Sequence, residues 1–297
     1  MNLKKIKEGC SCFASPVNIG YVQKNETGLL IDAGIDASVS KKAVKQLKEK
    51  GLPLTDVLIT HAHTDHFGGA GWIAENEQVR VWAESFERQV LEQPKLEPVY
   101  LFQGNEPPKE MRNKFLEGPA VSVTHSVEEG TVEIGSISGE VISLPGHSHG
   151  QIGFRVDGIL YAGDSYFAPL YLEKHKIPFM VDKQAAVSSL KKLLTLDVQG
   201  AVPGHGHYEE NFKITVSKNI DFHQRVEDDL LFLLRTVKQI SLDELIGKFC
   251  ENKGIIFSQL GSWALYRTAV TAYVMSLVNE EHARLTFERN QLMITAG

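Results

Sequence analysis

The segment His61-Ala-His-Thr-Asp-His66 places three imidazoles and one carboxylate within six residues. It follows the apolar run Asp56-Val-Leu-Ile-Thr60, which is typical of a short buried strand. Phe67-Gly-Gly-Ala70 comes next, where a helix is predicted to begin. Neutral imidazole and carboxylate are the ligands that zinc and iron prefer in proteins. A polar surface loop accounts for one or two histidines but not for this density, so the segment predicts a metal-binding loop.

Three further candidate ligands follow predicted strands, and each comes directly after a glycine. They occur in the motifs Pro-Gly-His147, Ala-Gly-Asp164 and Pro-Gly-His205. A glycine before each ligand lets the backbone approach a bound ion closely. Because strand ends on one rim of a sandwich can converge, these three residues are predicted to meet the 61–66 segment at one point.

Strands and helices of ordinary length follow one another through the first two thirds of the chain. Strands are predicted at 18–23, 28–32, 56–60, 79–83, 120–124, 139–144, 151–156, 158–161 and 199–203, and helices at 40–51, 85–91 and 182–194. Two strand-rich blocks, each followed by helices, predict an α/β fold in which two sheets are covered by helices. This is a four-layer αββα sandwich.

The pattern becomes mainly helical after residue 210. A long helix is predicted at 214–238, a capping box at 241–244 opens a second, and a third spans 258–278. A hairpin turning near Asn290 follows, and three helices plus a hairpin resemble a winged-helix module. We therefore predict two domains, residues 1–210 and 211–297. The second has ten basic and ten acidic residues, which does not favour binding to phosphates.

The combined motif resembles the signature of the metallo-β-lactamase superfamily, His-x-His-x-Asp-His followed by distant His, Asp and His. The resemblance extends from about Asn18 to His207. It implies two metal sites, in which Asp164 bridges both ions and Asp32 steadies the ligand loop. By position, the ligands of the first site are His61, His63 and His147, and those of the second are Asp65, His66 and His205.

The resemblance also implies a metal-dependent hydrolase in which two divalent ions hold a bridging hydroxide that Asp65 orients. Zn²⁺ is the expected metal, with Fe or Mn as alternatives. The expected substrate is a small molecule with an ester, thioester, lactone or related bond. An endoribonuclease or phosphodiesterase of the same fold, and a mononuclear iron persulfide dioxygenase, remain as alternatives because they share much of this motif.

Two segments are candidates for the walls of the site. Tyr166 lies two residues after Asp164, where it can donate a hydrogen bond to an oxyanion or simply pack in the interior. Residues 93–120 are rich in proline and glycine and lack periodicity. They are expected to form either a lid or a loop packed on the sandwich.

Composition limits the remaining function classes. The chain has 297 residues, 42% of them hydrophobic and 23% charged, with a net charge of −6. These values are typical of globular domains and disfavour nucleic acid as a partner. Three cysteines fit a reducing compartment, and no apolar run approaches the roughly 18–20 residues of a membrane span. We expect a cytoplasmic enzyme that has no membrane partner, with a homodimer as one candidate assembly.

Overall fold

The computed structural model describes residues 1–297. It contains fifteen strands and ten α-helices, together with one 3₁₀ turn at Lys109–Met111. The strands are β1 Asn2–Lys7, β2 Cys10–Ala14, β3 Ile19–Lys24, β4 Thr27–Ile31, β5 Asp56–Ile59, β6 Arg80–Glu84, β7 His125–Val127, β8 Gly130–Ile134, β9 Ile137–Ser143, β10 Ile152–Val156, β11 Ile159–Gly163, β12 Gly200–Pro203, β13 Gln239–Ser241, β14 Ala283–Glu288 and β15 Gln291–Ala296. The helices are α1 Ala37–Glu49, α2 Thr64–Phe67, α3 Ala70–Glu77, α4 Ser85–Glu92, α5 Leu96–Leu101, α6 Pro169–His175, α7 Lys183–Thr195, α8 Phe212–Val237, α9 Leu242–Asn252 and α10 Leu260–Asn279.

Two sheets form the middle layers. The first runs β1 to β7 in chain order, and the second has the order β12-β11-β10-β9-β8. Strands β4 to β7 are parallel, and β11 pairs in parallel with β12. A buried apolar cluster joins the facing sides, with Leu29 and Leu58 from the first sheet and Phe154 and Tyr161 from the second. The two sheets therefore pack face to face.

Helices cover the outer face of each sheet. On the first sheet, Val44 and Leu47 of α1 and Ile73 of α3 join a buried cluster with strand residues such as Leu30. On the second sheet, Leu190 and Leu193 of α7 and Phe212 and Val216 of α8 pack against residues of β9, β11 and β12. Apolar residues at helical spacing face the sheets in both layers, which confirms the predicted αββα sandwich.

Several elements differ from the prediction for physical reasons. The hairpin of β1 and β2 was not predicted, because β1 is a lysine-rich edge strand with little buried surface. The predicted strand at 120–124 is not part of a sheet, and the strand lies at β7 instead. The Thr124 hydroxyl accepts a hydrogen bond from the Val81 amide at 2.9 Å. In a regular strand pair, a backbone carbonyl of the neighbouring strand would accept this bond.

The C-terminal region contains α8, α9 and α10 and a three-stranded sheet ordered β13-β15-β14. The hairpin of β14 and β15 turns at Arg289 and Asn290, both with positive φ, as predicted for that turn. Ile177 and Met180, which follow α6, belong to the same buried cluster as the tail helices. The tail thus packs on the segment that leaves the sandwich, and the boundary at residue 210 and the winged-helix likeness stay predictions. No helix combines the length and hydropathy needed to cross a bilayer.

Candidate metal centre

The ligand segment begins where β5 ends and runs into the short helix α2. His61 and His63 lie before the helix, with His63 in extended backbone, whereas Asp65 and His66 lie within it. The two pairs thus come from backbone of different geometry. One short segment can therefore supply ligands to two neighbouring positions.

Asp164 lies at the centre of the cluster. It follows β11, and its parallel neighbour β12 leads to His205 at the same edge of the sheet. Asp164 Oδ1 lies 3.3 Å from His66 Nε2, while Asp164 Oδ2 lies 3.5 Å from His147 Nε2 and 3.4 Å from His205 Nε2. One carboxylate is therefore shared by imidazoles from three separate segments.

The structure brings all seven predicted ligands into three overlapping groups, in each of which the ligand atoms lie within 4.8 Å of one another. These groups are His61 with His63 and His147, His61 with His66 and Asp164, and Asp65 with His66 and His205.

The cluster passes a test for metal binding that rests on its own polar atoms. The Nε2 atoms of His61 and His63 are buried and have no hydrogen-bond partner. His66 Nε2 and Asp164 Oδ1 are also buried and meet each other at 3.3 Å without forming a hydrogen bond. A buried polar atom without a partner costs about 1–3 kcal/mol, and such atoms are rare in folded proteins. Four of them around one point, all of types that bind cations, fit divalent metal ions.

Burial determines the protonation of three of the histidines. It lowers the pKa of His61 well below its ordinary value, aided by the neighbouring imidazoles. Burial and His147 lower the pKa of His63 to about 3, and burial also lowers the pKa of His147. Neutral imidazole is the form that binds a metal ion, so these three side chains are already in the binding form.

The other two histidines lie among carboxylates and behave differently. Burial opposes protonation of His66, but Asp164, Asp32 and Asp65 together raise its pKa well above the ordinary value. Burial also opposes protonation of His205. The neighbouring carboxylates, chiefly Asp164, outweigh this effect and raise the pKa of His205 to about 10. A cation in this part of the cluster would therefore replace protons in balancing the carboxylate charge.

Three aromatic rings surround the histidines. The Phe179 ring lies 5.3 Å from His63, the Phe167 ring lies 5.7 Å from His147, and the Tyr171 ring stacks on His205 at 4.8 Å. Leu170, next to Tyr171, is 79% exposed. The approach to the cluster is thus bordered mainly by apolar surface.

Tyr166 lies in the interior of the protein. Its side chain is fully buried in the cluster between the second sheet and its helices, where its ring packs against Phe212. Its hydroxyl is buried and has no hydrogen-bond partner. Burial therefore favours the packing role that the sequence left open, and the oxyanion role of Tyr166 stays a prediction.

The 93–120 segment is packed rather than detached. It contains α5 and the 3₁₀ turn, neither of which was predicted, and Leu101, Met111 and Leu116 form a buried cluster with Ala264 of α10. Phe179 packs against the same cluster. The segment therefore fills the space between the histidines and the tail, which supports the packed-loop alternative over a free lid.

Asn219 of α8 is a site residue that the sequence analysis missed. It is fully buried, accepts a hydrogen bond from the Phe167 amide at 2.9 Å and donates one to the Phe167 carbonyl at 2.8 Å. The tail helix thereby holds the segment that follows Asp164. No local pattern marks such a residue, because its partner lies 52 positions away in the chain.

Comparison with known proteins gives matches over the same region. A family model described as "Metallo-beta-lactamase superfamily" matches residues 13–205. A hydroxyacylglutathione hydrolase of Erythrobacter litoralis is 32% identical over 138 residues, which cover 46% of this chain and 43% of that protein. One from Vibrio cholerae serotype O1 is 27% identical over 220 residues, 73% of each chain. The chain thus spans less than half the length of the first of these relatives.

Solved structures resemble the whole chain. A metallo-beta-lactamase family protein from Thermus thermophilus has a TM-score of 0.73 and 19% identity, covering 98% of this chain and 100% of that chain. A Beta-lactamase domain protein from Burkholderia ambifaria has a TM-score of 0.72 and 18% identity, covering 100% and 94%. At these identities the likeness shows the fold alone.

Proposed function

Because the chain belongs to the metallo-β-lactamase superfamily, we propose that it is a metal-dependent hydrolase of a small-molecule ester, thioester, lactone or related bond. The observation that carries the proposal is the convergence of imidazoles from three segments on the Asp164 carboxylate. We propose two divalent ions, with Zn²⁺ as the metal. The first would be held by His61, His63 and His147, the second by Asp65, His66 and His205, and Asp164 would be shared by both.

The chain's residues have distinct tasks in this proposal. When bound, divalent ions lower the pKa of water toward neutrality and polarise a carbonyl oxygen. Burial alone would raise the pKa of Asp65, but His66 and His205 lower it to about 2, so its carboxylate is ionised at neutral pH. Its side chain is 35% exposed, which leaves it able to accept a hydrogen bond from water and orient it.

The borders of the site favour an apolar acyl group. Phe167 and Phe179 place rings beside the histidines of the first metal site, and Tyr171 covers His205. Apolar walls with few polar groups are typical of pockets that bind small organic substrates. The names of the hydroxyacylglutathione hydrolases make a thioester the first bond to test.

Metal analysis and a substrate panel test the proposal. The protein is prepared anaerobically and loaded with Zn²⁺, Mn²⁺ or Fe²⁺, and metal per chain is measured. Each form is then assayed on ester, thioester, lactone, β-lactam, phosphodiester and RNA substrates, and on a persulfide with oxygen consumption followed. Two ions per chain with turnover of a small acyl substrate is the expected result. One iron per chain with oxygen consumption on a persulfide, or turnover of RNA alone, would overturn it in favour of an alternative.

A histidine variant tests the ligand assignment. His63→Ala should lose bound metal and abolish turnover while keeping most of the fold, because it removes a ligand from the first site. The matched control is His282→Ala, which alters an exposed histidine far along the chain in the tail. Full metal content and turnover in His63→Ala would refute the assignment.

A further inference from the structure

The proposed first metal site takes its ligands from two loops that are distant in sequence. His61 and His63 lie in the first ligand loop, Thr60–His63, and His147 lies in the second ligand loop, Pro145–Gln151. His63 Nδ1 and His147 Nε2 are nevertheless only 2.8 Å apart. Some contact must hold the two loops at this separation if the site is to exist before an ion arrives.

Glu87 of α4 makes hydrogen bonds to both ligand loops. Its Oε2 accepts from the Ala62 amide at 2.6 Å. Its Oε1 accepts from the Ser148 hydroxyl and from the Gly150 amide, both at 2.8 Å. Ala62 lies between His61 and His63, and Ser148 directly follows His147. A single carboxylate therefore spans the two loops, with bonds beside the ligands of each.

The Glu87 carboxylate is not the N-terminal cap of α4. Glu84 caps α4 by accepting from the amides of Phe86 and Glu87. The Glu87 side chain is free to point away from its helix, and it is only 2% exposed. Burying a carboxylate is costly unless it is fully hydrogen-bonded, and here all three donors come from the ligand loops. This arrangement serves the loops rather than the helix.

We infer that Glu87 is a positioning residue that sets the separation of the first-site ligands across the two loops. The inference rests on the proposed metal centre and is independent of the substrate. The role of Glu87 is limited to the first site, because other groups orient the histidines of the second site. His66 Nδ1 bonds Asp32, and His205 Nδ1 lies 2.9 Å from the Pro16 carbonyl oxygen. Loss of Glu87 should therefore affect one ion more than the other.

Glu87→Gln is the test variant. Glutamine has nearly the same shape, but its NH₂ group cannot accept a hydrogen bond, so one ligand loop meets a donor instead of an acceptor. Zn²⁺ is titrated into the metal-free protein against a chromophoric chelator, and the visible spectrum of the Co²⁺ form reports the ligand geometry. We expect one of the two ions to bind roughly 10- to 100-fold more weakly, as for other residues that orient metal ligands, with the second ion little changed.

The controls separate positioning from general stability. Asp56→Asn alters another fully buried carboxylate, which bonds Arg80 and Trp82. It should lower the melting temperature of the metal-free protein without changing either metal affinity. Ser148→Ala removes one donor to Glu87 and should give a smaller loss at the same ion, which keeps the test valid if Glu87→Gln does not fold.

Three outcomes separate failure of this inference from failure of the proposed metal centre. If the unaltered protein binds two ions and Glu87→Gln binds both equally tightly, the inference alone is wrong. The same holds if Glu87→Gln and Asp56→Asn lose affinity to the same extent. If the unaltered protein binds no divalent ion, the proposed metal centre is wrong and the inference falls with it.

Discussion

His66 Nδ1 lies 2.8 Å from Asp32 Oδ2. The same carboxylate accepts from the Thr60 amide through Oδ1 at 2.8 Å. Asp32 comes directly after β4 and has a φ of +66°, a left-handed conformation that turns its side chain toward the ligand segment. Because a carboxylate accepts, it keeps a proton on His66 Nδ1, so that Nε2, which faces Asp164, is the nitrogen that becomes free when the ring is neutral. Asp32 therefore sets which His66 nitrogen is available to an ion.

Asp32→Asn should weaken metal binding by roughly 10- to 100-fold. Asparagine can still accept from the Thr60 amide, but it then presents its NH₂ group to His66 Nδ1. The imidazole proton would shift to Nε2, which blocks the atom that faces Asp164. Chelator competition measures the affinity. Asp36→Asn is the control, since asparagine also caps helices well and Asp36 caps α1; unchanged affinity in Asp32→Asn would contradict the argument.

Tyr166→Phe should leave turnover unchanged. The hydroxyl is buried without a partner, so its removal is expected to keep or raise stability, by about 3 kcal/mol at most. Steady-state kinetics and urea unfolding measure the two effects. A residue that donates to an oxyanion would instead cost roughly 10²–10³ in kcat when the donor is lost. A decrease of that size would restore the catalytic role predicted from the sequence.

Asn219→Ala should reduce both stability and turnover. The change leaves the Phe167 amide and carbonyl buried without their partners, and each unpaired group costs about 1–3 kcal/mol. Phe167 borders the histidines, so its displacement should also disturb the site. Gln224→Ala on the same helix is the control, because Gln224 bonds only the exposed Asp228. If Asn219→Ala matches that control in both measurements, the tail does not position this segment.

Acid should destabilise the protein through His223. Burial and the charge of Lys183 lower its pKa from 6.5 to about 4, and it bonds the Tyr273 hydroxyl at 2.7 Å. The unfolded chain binds the proton more readily, so stability falls as the pH drops from about 6.5 to 4. One pKa unit corresponds to about 1.4 kcal/mol, so a shift of this size is worth roughly 3 kcal/mol.

Urea unfolding of the metal-free protein at several pH values measures this dependence. His223→Asn keeps a polar group near the position of Nδ1 but has no titrating ring. Its stability should therefore change less between pH 6.5 and 4 than that of the unaltered protein. Equal slopes in the two proteins would assign the acid sensitivity to other groups.

Local sequence was sufficient to predict the sandwich and the set of clustered side chains. The ligand candidates His147, Asp164 and His205 lie within four residues after strands with strong β patterns, and strand ends are set by short-range preferences. The turn near Asn290 was also predictable, because asparagine tolerates positive φ. Elements with weak patterns were missed, among them β1, α5 and α6, since packing against other parts of the chain stabilises them.

The chemical groups of the candidate centre could be identified from the sequence, because residue type and strand periodicity are properties of short segments. The contacts that support those groups became visible only in the folded chain. Glu87 reaches Ser148 across 61 positions and Asn219 reaches Phe167 across 52. Folding also turned Tyr166 into the interior, although its neighbour Phe167 borders the histidines. Such contacts depend on how layers of the fold pack together, and no pattern within a single strand or helix encodes that packing.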